Sequence, residues 1–324
     1  MRILITGASG FIGSRTARRV VEAGHELRCL LRKTSKTDRL TGLTYERVTG
    51  DITERASLDA ACRDVDAVIH LACVSAWADI RSASAEKLRG IAVGGTRNVL
   101  EAARDAKVKR VVYVSSAAAI NASEKPHVFD ETTSFSPERP HLHYSVVKRE
   151  AERVVDGFAD VLDVVTVCPA EVYGPEDDAF VTAGNVRDIV KSWPALACHG
   201  GTSVVHVDDV ANGILLALEK GERGERYILG GDNLSITDLC KRVLKIAGLR
   251  RRVIPLPNRV VRAACRAAGA VGLPPPVPLD VLDYATLYWF VDSGKARRDL
   301  GYAPRGADAT LEPVVTWLRD AGHI

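Results

Sequence analysis

The sequence predicts an α/β fold: an open, doubly wound parallel sheet followed by a smaller, discontinuous C-terminal lobe. Three observations carry this reading. Short runs rich in Val, Ile and Leu alternate with helical stretches through the first half of the 324 residues. A glycine-spaced turn joins the first run to the first helix, and after Pro169 the alternation gives way to loop-like and proline-broken stretches. Strands so uniformly apolar need cover on both faces, which helices on each side of a parallel sheet supply.

In chain order, RILIT is a strand and Phe11 to Ala23 a helix; ELRCLL, LTYERV and DAVIHLAC are further strands. A helical stretch from about Ala85 to Ala106 leads into RVVYVSS, and Tyr144 to Phe158 is helical before LDVVTVC. EVYGPEDDAF and SWPALACHGG read as loops, and SVVHV returns as a strand. HVDDVANGILLALEKG is a helix whose first acidic residues suit its N-terminal dipole, and YILGG is a short strand. Beyond Ser235, helical segments are broken by VIPLPN and GLPPPVP, whose prolines cannot continue a helix. Residues 1–170, with 203–230 returning to them, are expected to form the dinucleotide-binding core. Residues 171–324 mainly form the second lobe.

A hydrophobic share of 46% and a charged share of 26% are those of an ordinary globular chain. The net charge of +3, with signs interleaved, gives no reason to expect nucleic acid or a membrane as a partner. The start MRILITGASG has no signal-peptide pattern, and no apolar run reaches the ~18 residues of a spanning helix. Seven cysteines without a C-x-x-C pair suggest buried, reduced thiols and a cytoplasmic home. No residues have metal-ligand spacing, so no metal is expected.

TGASGFIG sets Gly7, Gly10 and Gly13 between strand and helix, with Ser9, Phe11 and Ile12 between them. Such a turn lets a pyrophosphate approach the backbone and the positive end of the helix. The second strand ends in Leu30-Leu31-Arg32-Lys33, without the carboxylate that holds a ribose 2′-hydroxyl in NAD sites. Arg32 could pair with a 2′-phosphate, so NADP is the expected dinucleotide, with NAD possible. Asp51 and Ile52 after the third strand, and Leu71, Ala72 and Cys73 after the fourth, are further candidate contacts.

RVVYVSS delivers Ser115 and Ser116 to the carboxyl end of a strand, where ligands gather in open α/β sheets. Tyr144 and Lys148 then lie at i and i+4, on one helical face. A free phenol titrates at about 10, and a nearby ammonium brings it toward a working pH. Tyr144 is therefore the candidate acid or base at a carbinol or carbonyl oxygen, with Ser116 orienting that oxygen and Lys148 also reaching the nicotinamide ribose.

With these residues in place, the chain resembles an extended short-chain dehydrogenase/reductase of the NAD-dependent epimerase/dehydratase family. TGASGFIG, HLAC, GGTRNVLEAA, VVYVSS, YSVVK, PAEVYGP, VHVDDVA and DSGKARRDLGY match in order along nearly its whole length. It looks closest to dihydroflavonol-reductase-like, 3β-hydroxysteroid-dehydrogenase-like and hopanoid-associated epimerase-like members. The resemblance implies a Rossmann core, Ser116, Tyr144 and Lys148 as catalytic, and Pro169 to Val172 bordering the nicotinamide. It also suggests a homodimer through the helices 85–106 and 144–158, with Leu88, Ile91, Val99, Val147, Val154 and Phe158 as spare apolar positions.

The departures narrow the substrate. Ala92 stands where the family often has an asparagine, putting a relay through that side chain in doubt. Thr202 and the run Leu287 to Phe290 stand where nucleotide-sugar enzymes carry arginines that grip a diphosphate. Ser116 is followed by Ala117, Ala118 and Ala119 rather than the acidic residues of the sugar dehydratases. Trp77, Phe180, Trp193, Tyr288, Trp289 and Phe290 are candidates for an apolar pocket, and the segments 74–83, 119–143 and 177–201 for its walls. His141 and His143 read as loop residues. The leading expectation is a reductase or dehydrogenase for an apolar, polyketide-, flavonoid- or steroid-like ketone or alcohol. A nucleotide-sugar epimerase is the alternative, and a non-catalytic redox sensor a third reading.

Overall fold

The computed structural model describes residues 1–73, 85–136, 139, 141–270, 272–273 and 279–324. Trp77 and the whole expected pocket segment 74–83 lie outside the described residues. Seven parallel strands form the main sheet in the order β11-β7-β5-β4-β1-β2-β3. These are β1 (Arg2–Thr6), β2 (Glu26–Leu31), β3 (Glu46–Thr49), β4 (Ala67–His70), β5 (Arg110–Val114), β7 (Val164–Pro169) and β11 (Arg226–Leu229). The order reverses beside β1, so β1 and β4 open a crevice at their carboxyl ends.

On one face lie α1 (Phe11–Glu22), α7 (Val207–Lys220) and α11 (Gly294–Leu300), burying Val20, Ile214 and Leu300 against Ile3, Ile5 and Val167. The other face is covered by α2 (Arg55–Cys62), α4 (Gly95–Asp105) and α5 (His143–Asp156), with Leu58, Val99 and Val154 in the core. This is the doubly wound, Rossmann-like architecture that the alternation predicts. The C-terminal segment α11 also returns to it, beyond the expected 203–230.

A second sheet runs β12-β10-β14-β6, with β8 also paired to β10. Its strands are β6 (Val128–Phe129), β8 (Glu171–Tyr173), β10 (Gly201–His206), β12 (Asp232–Ser235) and β14 (Tyr288–Val291). Helices α6 (Ala183–Lys191), α8 (Ile236–Ile246) and α12 (Ala307–Asp320) pack beside it around Val186, Val204, Leu239 and Leu311. A two-stranded parallel sheet pairs β9 (Ala195–Cys198) with β13 (Val253–Leu256), followed by α9 (Asn258–Ala270) and α10 (Leu279–Ala285).

Two element readings are corrected. The expected loops EVYGPEDDAF and SWPALACHGG, and the break VIPLPN, each hold a strand (β8, β9 and β13). Each pairs with a segment distant in sequence, β8 with β10 and β9 with β13, so its partner is invisible to local patterning. The helix expected over 85–106 is α3 (Ala85–Arg89), then a π-helical turn Gly90–Gly94, then α4. Three glycines in GIAVGG weaken the α-helical preference there.

Candidate active site

The glycine turn connects β1 to α1. Gly7 has φ +78°, a left-handed conformation that favours glycine, and a Cβ on it would lie 2.8 Å from the Ala72 nitrogen. A Cβ on Gly13 would lie 2.0 Å from the Gly7 carbonyl oxygen, so helix and turn meet backbone to backbone. Gly10 is exposed at the helix start, beside first-turn amides that have no intrahelical acceptor. The cradle fits the pyrophosphate of a dinucleotide. Phe11 packs beside Gly174 and Val207, with the Arg39 guanidinium 5.9 Å from its ring.

Around that cradle, the other expected contacts fall at the same sheet edge. Leu71 and Ala72 donate their N–H groups to the Thr6 carbonyl and hydroxyl, 3.1 and 3.2 Å. Asp51 Oδ1 accepts from the N–H and hydroxyl of Thr53, fixing the turn after β3, and Ile52 is buried against Gly95. Arg32 is exposed at the end of β2, and its carbonyl accepts from Arg47 at 3.2 Å. Arg47 thus adds a second exposed guanidinium to this corner. Position on β3, paired residue by residue to β2, is what reveals it.

Ser116 caps a short 3₁₀ turn, Ala117–Ala119, just past β5; its Oγ accepts from the Ala118 N–H at 3.2 Å. Helix α5 packs against this turn and carries Tyr144 and Lys148. Lys148 is 3% exposed, with Nζ donating to the Val114 carbonyl at 3.2 Å and lying 5.5 Å from the Tyr113 ring centroid. Burial opposes its charge, but Cys73, Tyr113, Tyr144 and Glu152 together outweigh that and push its pKa above the ordinary lysine range. The Tyr144 N–H donates to the Tyr284 hydroxyl at 3.2 Å, so α10 closes the start of α5. The structure thereby brings Ser116, Tyr144 and Lys148 to one edge.

One residue that sequence reasoning missed completes the stripe. Glu152, four residues after Lys148, is 2% exposed. Its Oε1 accepts from the Ser115 hydroxyl and, at 3.6 Å, from the Cys168 thiol; Oε2 accepts from Arg149 and Arg226 at 2.8 and 3.0 Å. The hydroxyl of Ser115 is therefore engaged below the crevice. Continuing the Tyr144–Lys148 spacing by one more turn would have found Glu152.

His70 forms a second buried network. Thr96 donates its hydroxyl proton to the Ala92 carbonyl at 2.6 Å, so it accepts from His70 Nε2 at 3.1 Å. His70 Nδ1 then accepts from the Thr6 hydroxyl at 2.7 Å. Burial first, and then the Lys148 charge, push this imidazole down to about 3. The ring therefore ties the glycine-turn strand to the first turn of α4 as a neutral group.

Several substrate-side expectations change. Trp193 is 73% exposed, and Phe180 packs on Trp317 and His323 in the second lobe's core. Tyr284 stacks on Trp289 at 5.6 Å, and Tyr288 meets Phe290 edge-on at 5.3 Å. Ala118, Ala122, Phe135, Leu142 and Trp289, together with the polar Asn121, Ser136, Arg139 and Ser145, line a small cavity beside the Ser116 turn. Thr202 is buried on β10 and Glu171 sits on β8 beside Val172; burial raises the Glu171 carboxyl, while hydrogen bonding from Thr202 and Asn185 draws it back. Pro169 ends β7. His141 and His143 are exposed. The supposedly spare Leu88, Val99, Val147, Val154 and Phe158 are buried within the chain's own core, because α3, α4 and α5 pack on one another.

Residues 3–230 match the NAD dependent epimerase/dehydratase family. The chain belongs to that family. It is a nicotinamide-dependent oxidoreductase of the extended short-chain dehydrogenase/reductase type. It is 30% identical over 337 residues to 4-hydroxy-2-methyl-3-oxo-4-farnesyl-3,4-dihydroquinoline-1-oxide ketoreductase of Stigmatella aurantiaca, covering 99% of this chain and 97% of that protein. It is 29% identical to sterol demethylase protein B of Methylococcus capsulatus, across 100% of both. Among solved structures, a nucleoside-diphosphate-sugar epimerase from Pseudomonas aeruginosa, PA4631, superposes with a TM-score of 0.81 at 29% identity, covering 100% of this chain and 99% of that one. No helix among the described residues is long and apolar enough to cross a membrane.

Proposed function

We propose that this protein reduces a ketone, or oxidises the matching secondary alcohol, on an apolar substrate of polyketide, flavonoid or steroid type. The observation that carries the proposal is the buried, charged Lys148 one turn from Tyr144, on a helix packed against the Ser116 turn. NADP is the preferred dinucleotide. It would lie in the Gly7–Gly13 cradle along Asp51, Leu71 to Cys73 and Pro169 to Val172, with Arg32 and Arg47 facing a 2′-phosphate. When bound, it supplies hydride in reduction and accepts hydride in oxidation.

The chain's own groups handle the proton. Tyr144 donates it to the carbonyl oxygen in reduction and takes it from the alcohol in oxidation. Ser116, whose oxygen accepts from Ala118, keeps its O–H to bond the same substrate oxygen. The Lys148 ammonium favours negative charge on the Tyr144 oxygen. The absence of an arginine at Thr202 supports an apolar substrate over a nucleotide sugar. A cytoplasmic location accords with the free cysteines. The homodimer now rests on the family resemblance, since its apolar positions face inward; sedimentation checks it.

The test is calorimetric binding of NADPH and NADH, then loss of reduced-nicotinamide absorbance with a ketone panel. Tyr144→Phe should lower turnover by about 10²–10⁴-fold. Arg32→Glu should shift dinucleotide preference toward NADH by roughly tenfold to a hundredfold, the worth of one charged hydrogen bond. Tight binding without net turnover, together with interconversion of a nucleotide sugar, would replace this reading with an epimerase.

A further inference from the structure

The whole-chain charge of +3 hides a sharp local segregation. Between Leu249 and Leu279 the sequence carries six arginines and no aspartate or glutamate. Of these, Arg250, Arg252, Arg259 and Arg266 are exposed. Arg251 lies over the Trp193 ring at 5.7 Å, and Arg262 turns inward to Asp283 and Thr286.

The same region holds most of the exposed large apolar side chains among the described residues: Trp193, Leu196, Ile254, Val260, Leu273 and Leu279. Leu196 and Ile254 are register partners on β9 and β13, so they stand on one face, while Ala195 and Ala197 alternate inward. Asn258, at the start of α9, clasps the His199 backbone just past β9 through both of its amide atoms, 2.8 and 2.9 Å. The helix therefore adjoins that sheet face. Along α9, Val261, Cys265 and Ala268 turn inward, leaving Val260, Ala263 and Ala267 outward beside Arg259 and Arg266.

We propose that the face built from β9, β13 and α9 docks on a membrane surface rich in anionic phospholipid. Its tryptophan and aliphatic side chains enter the headgroup boundary, and its arginines pair with lipid phosphates. Charge decides the occupant, because a surface with several exposed arginines and no acid repels a second copy of itself. Exposed aliphatics interleaved with the arginines also suit lipid better than a nucleic acid backbone. The face lies one helix from the candidate site: Arg262 of α9 binds Asp283 of α10 and Thr286 just past it, and Tyr284 between them accepts from the Tyr144 N–H. Delivery of an apolar substrate from lipid would follow, and that purpose alone rests on the proposed reductase activity.

The experiment is sedimentation of the full chain with phosphatidylglycerol/phosphatidylcholine vesicles and with pure phosphatidylcholine vesicles. Binding to the anionic vesicles only is expected, with a blue shift of emission that Trp193→Phe removes. The triple variant Arg252→Glu/Arg259→Glu/Arg266→Glu should weaken partitioning by about a hundredfold or more, with its circular dichroism and its turnover of a water-soluble ketone unchanged. Equal binding to both vesicles, or no loss in the triple variant, overturns the proposal. So does self-association that the triple variant abolishes in the absence of vesicle binding, which assigns the face to a second copy. Vesicle binding by a chain inactive on every ketone supports the docking face and removes only the reductase reading.

Discussion

Helices α5 and α9 are nearly equal in length, and both are rich in arginine, yet they treat charge in opposite ways. Helix α5 buries Lys148 and Glu152, and each finds partners: a carbonyl for the first, two guanidiniums, a hydroxyl and a thiol for the second. Helix α9 buries one side chain, Cys265, and leaves Arg259 and Arg266 to solvent. A buried charge is tolerable only when its neighbours satisfy it, so α5 is fixed by its surroundings. An exposed charge makes no such demand, which leaves the outward face of α9 open to an external partner.

The largest effect on this contrast should come from Glu152→Leu, which strands Arg149 and Arg226 beside the core. Because both arginines still reach solvent, the expected loss is about 2–4 kcal/mol, at or below the range for a fully buried pair. Urea unfolding measures it; a loss under ~0.5 kcal/mol would mean that α5 does not depend on this pairing.

A smaller effect should appear in the pH dependence of stability. The folded-state pKa of His70 is depressed, so the unfolded chain binds the extra proton. Stability is complete above the ordinary histidine value of about 6.5 and falls as pH drops toward about 3, by at most ~1.4 kcal/mol per pH unit. His70→Gln should flatten the unfolding free energy between pH 6.5 and 4.5; His206, also depressed, keeps its own share. An unchanged slope would show that His70 is charged in the fold. The smallest effect belongs to α9: Arg266→Gln should shift stability by less than about 0.5 kcal/mol in solution, and a larger loss would mean that this helix is held by its charges after all.

Much of the candidate site was legible in the sequence because its parts are local. The glycine turn, the Ser-Ser strand end and the i, i+4 pair each occupy a few consecutive residues at an element boundary. Glu152 was missed although it follows the same spacing, because its partners Ser115, Cys168 and Arg226 come from other elements. The misplaced aromatics failed for the opposite reason. Phe180 and Trp193 sit in variable stretches that look pocket-like, and only packing sends one into the second core and the other to the surface.

The sequence by itself determined the parallel α/β sheet, the glycine turn between β1 and α1 and the Tyr144–Lys148 face, since apolar periodicity, glycine placement and helical spacing act over short range. Only the tertiary structure decided that β8, β9 and β13 are strands, that His70 is held neutral and that the arginines of 249–279 divide between one inward pair and an exposed face. Those outcomes depend on which distant residues meet, and burial, pairing and solvent access do not exist until they do.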